Sequence, residues 1–493
     1  MNMKIVFNES LFEDLKASLE WDGREKIVYL LCNCTQYKNS IKLLPYKLIV
    51  PEEKDYISRS AGHIKIDRKF ITSVFKKAVE ECADVIWVHI HPEGAGGEFS
   101  LVDKHHEPIL MRHIAEQVKG VYNASMVFSN DCSELDSWFY DRENDELVPV
   151  EKIIVVGKND LKVFIPTGSQ SQAGNRVENL RYDRTIKAFG KQAVEMLSYL
   201  DVGIVGASAL GGPSSEMVAR DGFKSTAFCD PDIIDETNLN RLIGTCPDDI
   251  GRSKVEFYAE YAKKINPDVK VSCFKKSFYD DEVQQAFAQV DILLGCVDSE
   301  VRLSINSLAM ANRIPYFDMG AAIVRKDGKV QFKGGQVYSI IPGRNVCLEC
   351  SGVFNNLKSR FWSEAKKEKE RSMGYLKDEE DNDSHPLVSH LDYVIAGFGY
   401  HEMLSYIWGQ GTEHFKVYID MVKSKTSVAG IETGGCMYCR DLLGQGDKVS
   451  AYVPQKDEEL NVPNNLFEKQ PTDQPVAAVI EEEQSEEPVE SEV

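Results

Sequence analysis

Val202-Gly203-Ile204-Val205-Gly206-Ala207-Ser208-Ala209-Leu210-Gly211-Gly212 is the stretch on which the reading of this chain turns. Val202 to Val205 is an apolar run expected as a short buried strand. Gly206 to Gly212 is a glycine-rich turn, and a helix is expected from near Pro213. Such a turn lets backbone N–H groups approach a phosphate, and the helix N-terminus behind it favours negative charge. A second apolar run, Thr226-Ala-Phe-Cys229, ends at Asp230. That spacing suits a carboxylate holding a ribose hydroxyl. Together these residues point to a bound nucleotide. Ser208 fills the second glycine position, so an ordinary loop is the competing reading until the flanks are considered.

The chain has 493 residues, enough for two or three domains with cores of their own. Its 43% hydrophobic content is that of a soluble globular protein. No apolar run reaches the roughly 18–20 residues that span a bilayer. Met1-Asn-Met-Lys-Ile-Val-Phe7 lacks the long apolar core of a signal peptide. A cytoplasmic protein with no membrane partner is expected. The net charge of −21 argues against nonspecific nucleic-acid binding. Residues 453–493 carry 12 Asp and Glu against 2 Lys and read as an acidic disordered tail. Four of the twelve cysteines form two Cys-x-x-Cys pairs, which suggests a metal site and reduced thiols rather than a disulfide framework.

Residues 1–158 read as an α/β domain. Helices are expected from Glu9 to Leu19 and from Asp67 to Glu81. Strands are expected at Lys26–Cys32, Tyr46–Val50, Asp84–His91, Ala124–Phe128 and Lys152–Gly157. The third of these ends in His89-Ile90-His91-Pro92. Histidines one residue apart on a strand point to the same side. Asp103, returning from a loop, can supply a third ligand. Three N/O ligands leave one zinc position open for water, the pattern of a catalytic site. Two core histidines and a helix-capping aspartate are the plainer alternative. His105 and His106 read as surface helix residues.

The order His89-x-His91-Pro92, a loop, then Ser100-Leu-Val-Asp103 resembles the JAB/JAMM (MPN-domain) metalloproteases, with a loop one residue longer than usual in that family. The resemblance implies zinc on His89, His91 and Asp103. It implies Glu25, just before the strand, as the proton carrier, and Ser100 as a hydrogen-bond donor to the developing oxyanion. It also implies cleavage after the C-terminal glycine of a ubiquitin-like protein.

Residues 159–178, with Pro166-Thr-Gly-Ser-Gln-Ser-Gln-Ala-Gly-Asn175, read as a linker. Beyond it, Arg181-Tyr182-Asp183-Arg184 opens a helix some twenty residues before the glycine turn. After the turn come Asp230-Pro-Asp232, Asn238-Leu-Asn-Arg241, Gly251-Arg-Ser-Lys254-Val-Glu256, and Val290-Asp-Ile-Leu-Leu-Gly-Cys-Val-Asp298. In this order they resemble the ThiF/MoeB and ubiquitin-activating-enzyme superfamily over roughly residues 180–440. Asn306, Pro315 and Gly320 fall on family positions as well. The fold expected for residues 179–452 is a Rossmann-like, mostly parallel sheet carrying a C-terminal zinc-stapled segment.

The resemblance implies ATP and Mg²⁺ as cofactors, with Gly206, Ser208, Gly211, Asp230, Asp232, Asn238, Arg241 and Lys254 around the nucleotide. Joining ATP to a carboxylate needs a neutralised triphosphate and an exposed α-phosphate. Arg241 and Lys254 supply fixed positive charge, and Asp298, at the carboxyl end of a strand, is placed to hold Mg²⁺. Arg184 matches the superfamily's arginine finger, often delivered from the other subunit of a dimer.

Cys347-Leu-Glu-Cys350 and Cys436-Met-Tyr-Cys439 supply four thiolates for a closed, structural zinc, with a redox pair as the alternative. The charged segment Lys358–Asp383 between them reads as a crossover loop. No cysteine occurs between Cys350 and Cys436, which suggests adenylation without an enzyme thioester or a thioester on Cys246. The expected protein is therefore a zinc isopeptidase fused to an adenylyltransferase. Both would act on the C-terminal glycine of a ubiquitin-like protein, in a homodimer, with a conjugating enzyme downstream in a prokaryotic conjugation system. Sulfur-carrier activation with a sulfurtransferase partner, and a degenerate binding scaffold, are the alternatives.

Overall fold

Two β-sheets organise the computed structural model, which describes residues 1–117, 122–167, 169, 180–297, 301–326, 329–351, 388–411, 414–430 and 435–449. The segments expected as crossover loop and acidic tail lie outside these residues, as does Asp298. Met1–Tyr452 cluster as one unit. No helix of the described residues is long and apolar enough to cross a membrane.

The first sheet has nine strands. They are β1 (Asn2–Asn8), β2 (Ile27–Tyr37), β3 (Ser40–Ile49), β6 (Asp84–Ile90), β7 (Asn123–Phe128), β8 (Leu135–Asp141), β9 (Glu146–Pro149), β10 (Lys152–Val156) and β11 (Leu161–Phe164). A small separate hairpin supplies β4 (Tyr56–Ser60) and β5 (His63–Ile66). The order in the large sheet is β11-β10-β1-β3-β2-β6-β7-β8-β9, with parallel and antiparallel neighbours mixed. β6 is buried along its whole length, hence its near-continuous apolar sequence. Helix α1 (Glu9–Ser18) starts where the Asn8 side chain accepts from Leu11 N at 2.8 Å. Helix α2 (Arg68–Glu80) is capped by Asp67, which accepts from Lys69 N at 2.7 Å. Helix α3 (Leu101–Gln117) follows the loop after β6.

Helices α4 (Asp183–Phe189) and α5 (Lys191–Leu197) lead into the second sheet. Its strands are β12 (Asp201–Val205), β13 (Ser225–Cys229), β14 (Lys270–Phe274), β15 (Ile292–Gly295), β16 (Tyr316–Lys326), β17 (Lys329–Ile340), β18 (Lys416–Asp420) and β19 (Lys425–Ala429). The order is β14-β13-β12-β15-β16-β17-β18-β19. The first five are parallel and the last three pair antiparallel. Helices α6 (Gly211–Asp221), α7 (Lys254–Ile265), α8 (Asp281–Phe287), α9 (Val301–Ala311) and α10 (Ser389–Ile407) accompany it. The chain runs outward from β12 through β13 to β14, then returns to β15 on the other side of β12. The crevice beyond the carboxyl ends of β12 and β15 is thus a topological switch point, where open α/β sheets bind ligands.

Three lysines join the two sheets. Lys4 on β1 is the register partner of Lys152 on β10 and of Lys42 on β3, so the three stand side by side. All are buried. Lys4 Nζ lies 2.7 Å from Asp291 Oδ1, and Lys152 Nζ lies 2.7 Å from Asp201 and 2.5 Å from Asp291. Lys42 Nζ donates to the Val290 carbonyl at 2.8 Å. Burial works against the charge on Lys152, but Asp201 and Asp291 outweigh it and hold its pKa above normal. Lys42 goes the other way, pushed down by burial and by neighbouring Lys4. Arg313, also buried, donates to the Val6 carbonyl at 2.8 Å, and Asn33 donates to the Gly444 carbonyl at 2.8 Å.

Candidate functional site

The glycine turn sits at the switch point of the second sheet. Gly206 has φ +94°, and a Cβ there would come within 2.7 Å of the Cys296 carbonyl at the end of β15. A Cβ on Gly211 would come within 1.9 Å of the Gly206 carbonyl. Both glycines are therefore required by the turn itself. α6 opens at Gly211, two residues before the expected start, because Gly212 N already donates to the Ser208 carbonyl at 2.8 Å. Ser208 is half-buried in the middle of the turn.

Asp230, at the carboxyl end of β13, is buried and faces the turn. Its Oδ2 accepts from Ala207 N at 2.8 Å and its Oδ1 from Asp232 N at 2.9 Å. Burial raises its pKa against the pull of Lys254. Lys254, buried at the start of α7, lies 2.8 Å from Asp232 Oδ2. Asn238 caps a short turn, with its Oδ1 3.4 Å from Asp235 N. Arg241 donates from Nη1 to the Thr237 carbonyl at 2.6 Å and to Asn240 Oδ1 at 3.0 Å. Arg184 stands exposed on α4.

The buried polar atoms that have no hydrogen-bond partner among the described residues include Arg241 Nε, Ser253 Oγ, Tyr258 OH and both oxygens of Asp392. Ser253 precedes Lys254, and Tyr258 OH is the atom that a Cβ on Gly212 would strike. A buried polar group without a partner costs about 1–3 kcal/mol, so such a concentration beside a glycine turn fits a polar ligand. Asp392, in the first turn of α10, is held up to about 6 by burial, with Arg241 opposing. Sequence reasoning missed Asp392 and Tyr258. The signal for Asp392 was a lone acid in the apolar run Leu391-Asp-Tyr-Val-Ile-Ala396.

The four cysteines of the two Cys-x-x-Cys pairs come together, as the sequence suggested. Sγ separations are 3.7 Å for Cys347–Cys436, 3.6 Å for Cys350–Cys439 and 3.8 Å for Cys436–Cys439. A tetrahedron with Zn–S bonds of about 2.3 Å has edges of about 3.8 Å, so the donor set fits zinc. Asn306 Oδ1 accepts from Leu348 N at 3.1 Å and fixes the first turn. The Cys347 thiol is drawn below its ordinary range, chiefly by its hydrogen bond with Cys439. Cys246 is exposed, and its Sγ lies 3.2 Å from the Asp249 carboxylate.

A second cluster lies at the end of β6. His91 Nε2 is 3.1 Å from Asp103 Oδ2, and His89 Nε2 is 3.5 Å from Asp103 Oδ1. Asp103 lies in the first turn of α3 rather than in the loop expected from sequence. His91 Nδ1 donates to the Gly96 carbonyl at 3.1 Å, which leaves Nε2 as the acceptor facing Asp103. His89 Nε2 is buried with no hydrogen-bond partner among the described residues. Zinc bonds of about 2.0–2.1 Å give tetrahedral edges near 3.4 Å, so this set also fits zinc. Ser100 N donates to Asp103 Oδ2 at 2.8 Å, and Asp103 N donates back to Ser100 Oγ at 3.1 Å. Burial opposes the charge on Asp103, but the adjacent His89 and His91 imidazoles outweigh it and hold the carboxyl well below its usual range. Glu25 lies two residues before Ile27, the register partner of His89. Burial raises its pKa, with His89 and His91 pulling the other way. Glu107 on α3, not anticipated, accepts from Trp87 Nε1 at 3.0 Å.

Comparison with known proteins bears on the second sheet. The ThiF family model matches residues 182–424. Ubiquitin-like modifier-activating enzyme 5 of Drosophila virilis is 32% identical over 164 residues, 30% of this chain and 39% of that protein. Adenylyltransferase and sulfurtransferase UBA4 of Meyerozyma guilliermondii is 28% identical over 232 residues, 45% of this chain and 53% of that one. The chain thus spans 39% to 53% of the length of these curated relatives. A crystal structure of E. coli MccB with succinimide aligns with 55% of this chain and 76% of its own at 19% identity and a TM-score of 0.43.

Proposed function

We propose, from the ThiF family domain at residues 182–424, that this chain adenylates the C-terminal glycine carboxylate of a ubiquitin-like protein. In that reaction a carboxylate oxygen attacks the α-phosphorus of ATP, the bond to the β-phosphate oxygen breaks, and pyrophosphate leaves. The observation that carries the reading is the glycine turn at the switch point, with Asp230, Lys254 and Arg241 around it and unpartnered polar atoms beside it. Asp230 keeps lone pairs for a ribose hydroxyl. Lys254 and Arg241 supply positive charge for phosphates, and Asn238 shapes the turn that carries Arg241. When bound, Mg²⁺ offsets the triphosphate charge, and Asp298 is assigned to hold it. Arg184 is assigned to the site of a second copy in a homodimer.

The same reading gives the first sheet a processing role on the same protein. When bound at His89, His91 and Asp103, zinc makes a water acidic near neutral pH. Glu25 takes the water proton and passes it to the leaving amine. The Ser100 hydroxyl, whose oxygen accepts from Asp103 N, is assigned as the donor to the oxyanion.

The test supplies a glycine-terminated ubiquitin-like protein, ATP and Mg²⁺ and measures ATP–pyrophosphate exchange. Exchange dependent on the added protein and abolished by Asp298→Ala is expected. Exchange that survives Asp298→Ala defeats the metal assignment, and no exchange with any glycine-terminated candidate defeats the reading. The likeness to UBA4 favours a second reading, activation of a sulfur-carrier protein. Product mass separates the two: a thiocarboxylate supports sulfur transfer, and an isopeptide-linked adduct supports conjugation.

A further inference from the structure

The pocket beside the glycine turn holds a carboxylate that the adenylation chemistry above leaves unused. Asp392 is fully buried in the first turn of α10, and neither of its oxygens has a hydrogen-bond partner among the described residues. The charge that acts on it is the Arg241 guanidinium. Arg241 does not close on it as an ion pair. Its Nη1 is occupied by the Thr237 carbonyl and Asn240, and its Nε is buried and unpartnered. A cationic and an anionic side chain thus lie close enough for charge to act between them, each with buried polar atoms left unpartnered among the described residues. Arg241 suits a phosphate. A carboxylate beside a triphosphate would by itself repel it, and a cation between the two reverses the sign. Mg²⁺ takes oxygen ligands, and beside nucleotides it is held by one or two carboxylates, phosphate oxygens and retained waters. An apolar side chain would fill this place in α10 at less cost, so the buried acid needs a ligand to offset it.

We infer that Asp392 is a ligand, directly or through a metal-held water, for the divalent cation that accompanies the triphosphate. This rests on the nucleotide reading of the pocket. Arg241 neutralises the phosphates from the protein side, and Asp392 fixes where the cation sits on them. A cation so fixed selects one triphosphate conformation among several, which favours in-line departure of pyrophosphate.

The test uses full-length protein, Mn²⁺ in place of Mg²⁺ and an α,β-methylene analogue of ATP that is not cleaved. Free Mn²⁺ is counted by electron paramagnetic resonance, and binding of the metal-free analogue is measured by equilibrium dialysis. In Asp392→Asn the Mn²⁺ dissociation constant in the ternary complex should rise about tenfold or more. The metal-free analogue should bind as well as to the unaltered protein or better, because one negative charge has gone. An unchanged Mn²⁺ constant overturns the inference. A variant that also loses the metal-free analogue overturns it as well, since Asp392 then serves the fold. If the unaltered protein binds no analogue, the nucleotide reading falls and the inference falls with it.

Discussion

The seam between the two sheets and the pocket beside the glycine turn both bury charged groups in one chain, and they treat them in opposite ways. At the seam, Lys4 and Lys152 find Asp201 and Asp291 within 2.5–2.7 Å, or 3.7 Å at the longest. In the pocket, Arg241 Nε, Tyr258 OH and the Asp392 carboxylate find no partner in the described residues. Both regions bear a desolvation cost, and at the seam that of Lys4 and Lys152 is recovered within the chain. The seam is therefore architecture, and the pocket is arranged for something that arrives. The two candidate metal clusters repeat the contrast: four cysteines supply enough ligands to close a tetrahedron, whereas His89, His91 and Asp103 supply three.

The sharpest way to break this contrast is to remove one ligand from each cluster. Cys439→Ala should lose one zinc per chain and cost about 4–5 kcal/mol, because a structural metal contributes folding energy directly. His89→Ala should lose one zinc with less than about 1–2 kcal/mol of change, and should abolish any peptidase activity. Zinc analysis and thermal melting read both, and equal losses of stability would erase the distinction. Next in size, Asp291→Ala at the seam leaves Lys4 and Lys152 short of an acceptor and should cost about 3–5 kcal/mol in urea unfolding.

In the pocket the sign reverses. The Asp392 carboxyl holds its proton more tightly folded, at about 6, than in an unfolded chain, where a carboxyl titrates near ~4. Its contribution to stability is fully present below about pH 4 and is lost as the pH rises through about 6. Asp392→Asn should therefore stabilise the ligand-free protein at pH 7 by about 1–2 kcal/mol, allowing for Arg241 and solvent screening. The gain should shrink on acidification and vanish below about pH 4. A gain independent of pH would show that the carboxylate is not the cause. Smallest of all, Tyr258→Phe removes an unpartnered hydroxyl and should raise stability by about 0.5–1 kcal/mol while weakening nucleotide binding. A loss of stability there would mean that the hydroxyl is satisfied in the folded chain.

Much of this was legible in the sequence because the informative residues are either periodic or close together. The alternation and apolar runs gave β6, β12 and β13, and spacing alone brought Cys347, Cys350, Cys436 and Cys439 into one cluster. The pair His89 and His91 was readable because a strand puts alternate residues on one side. β1 was not, since Asn2–Asn8 looks like an unstructured start until Lys4 is seen against Lys42 and Lys152. β8 and β9 were missed because Leu135-Asp-Ser-Trp-Phe-Tyr-Asp141 and Glu146-Leu-Val-Pro149 are short and mix polar with apolar residues. Asp392 and Tyr258 escaped for a different reason. They lie more than a hundred residues apart, and only the packing of α10 and α7 around the turn gives either a meaning.

The three-lysine seam also bears on traffic. A bolted chassis has no swinging arm. With Lys4 and Lys152 clamped to Asp201 and Asp291, the histidine cluster and the glycine turn keep a constant separation. Under the proposed function, a protein tail trimmed at one station cannot be carried to the other by a hinge. It must let go, diffuse and dock again, so trimmed but unactivated protein should accumulate in solution early in a time course.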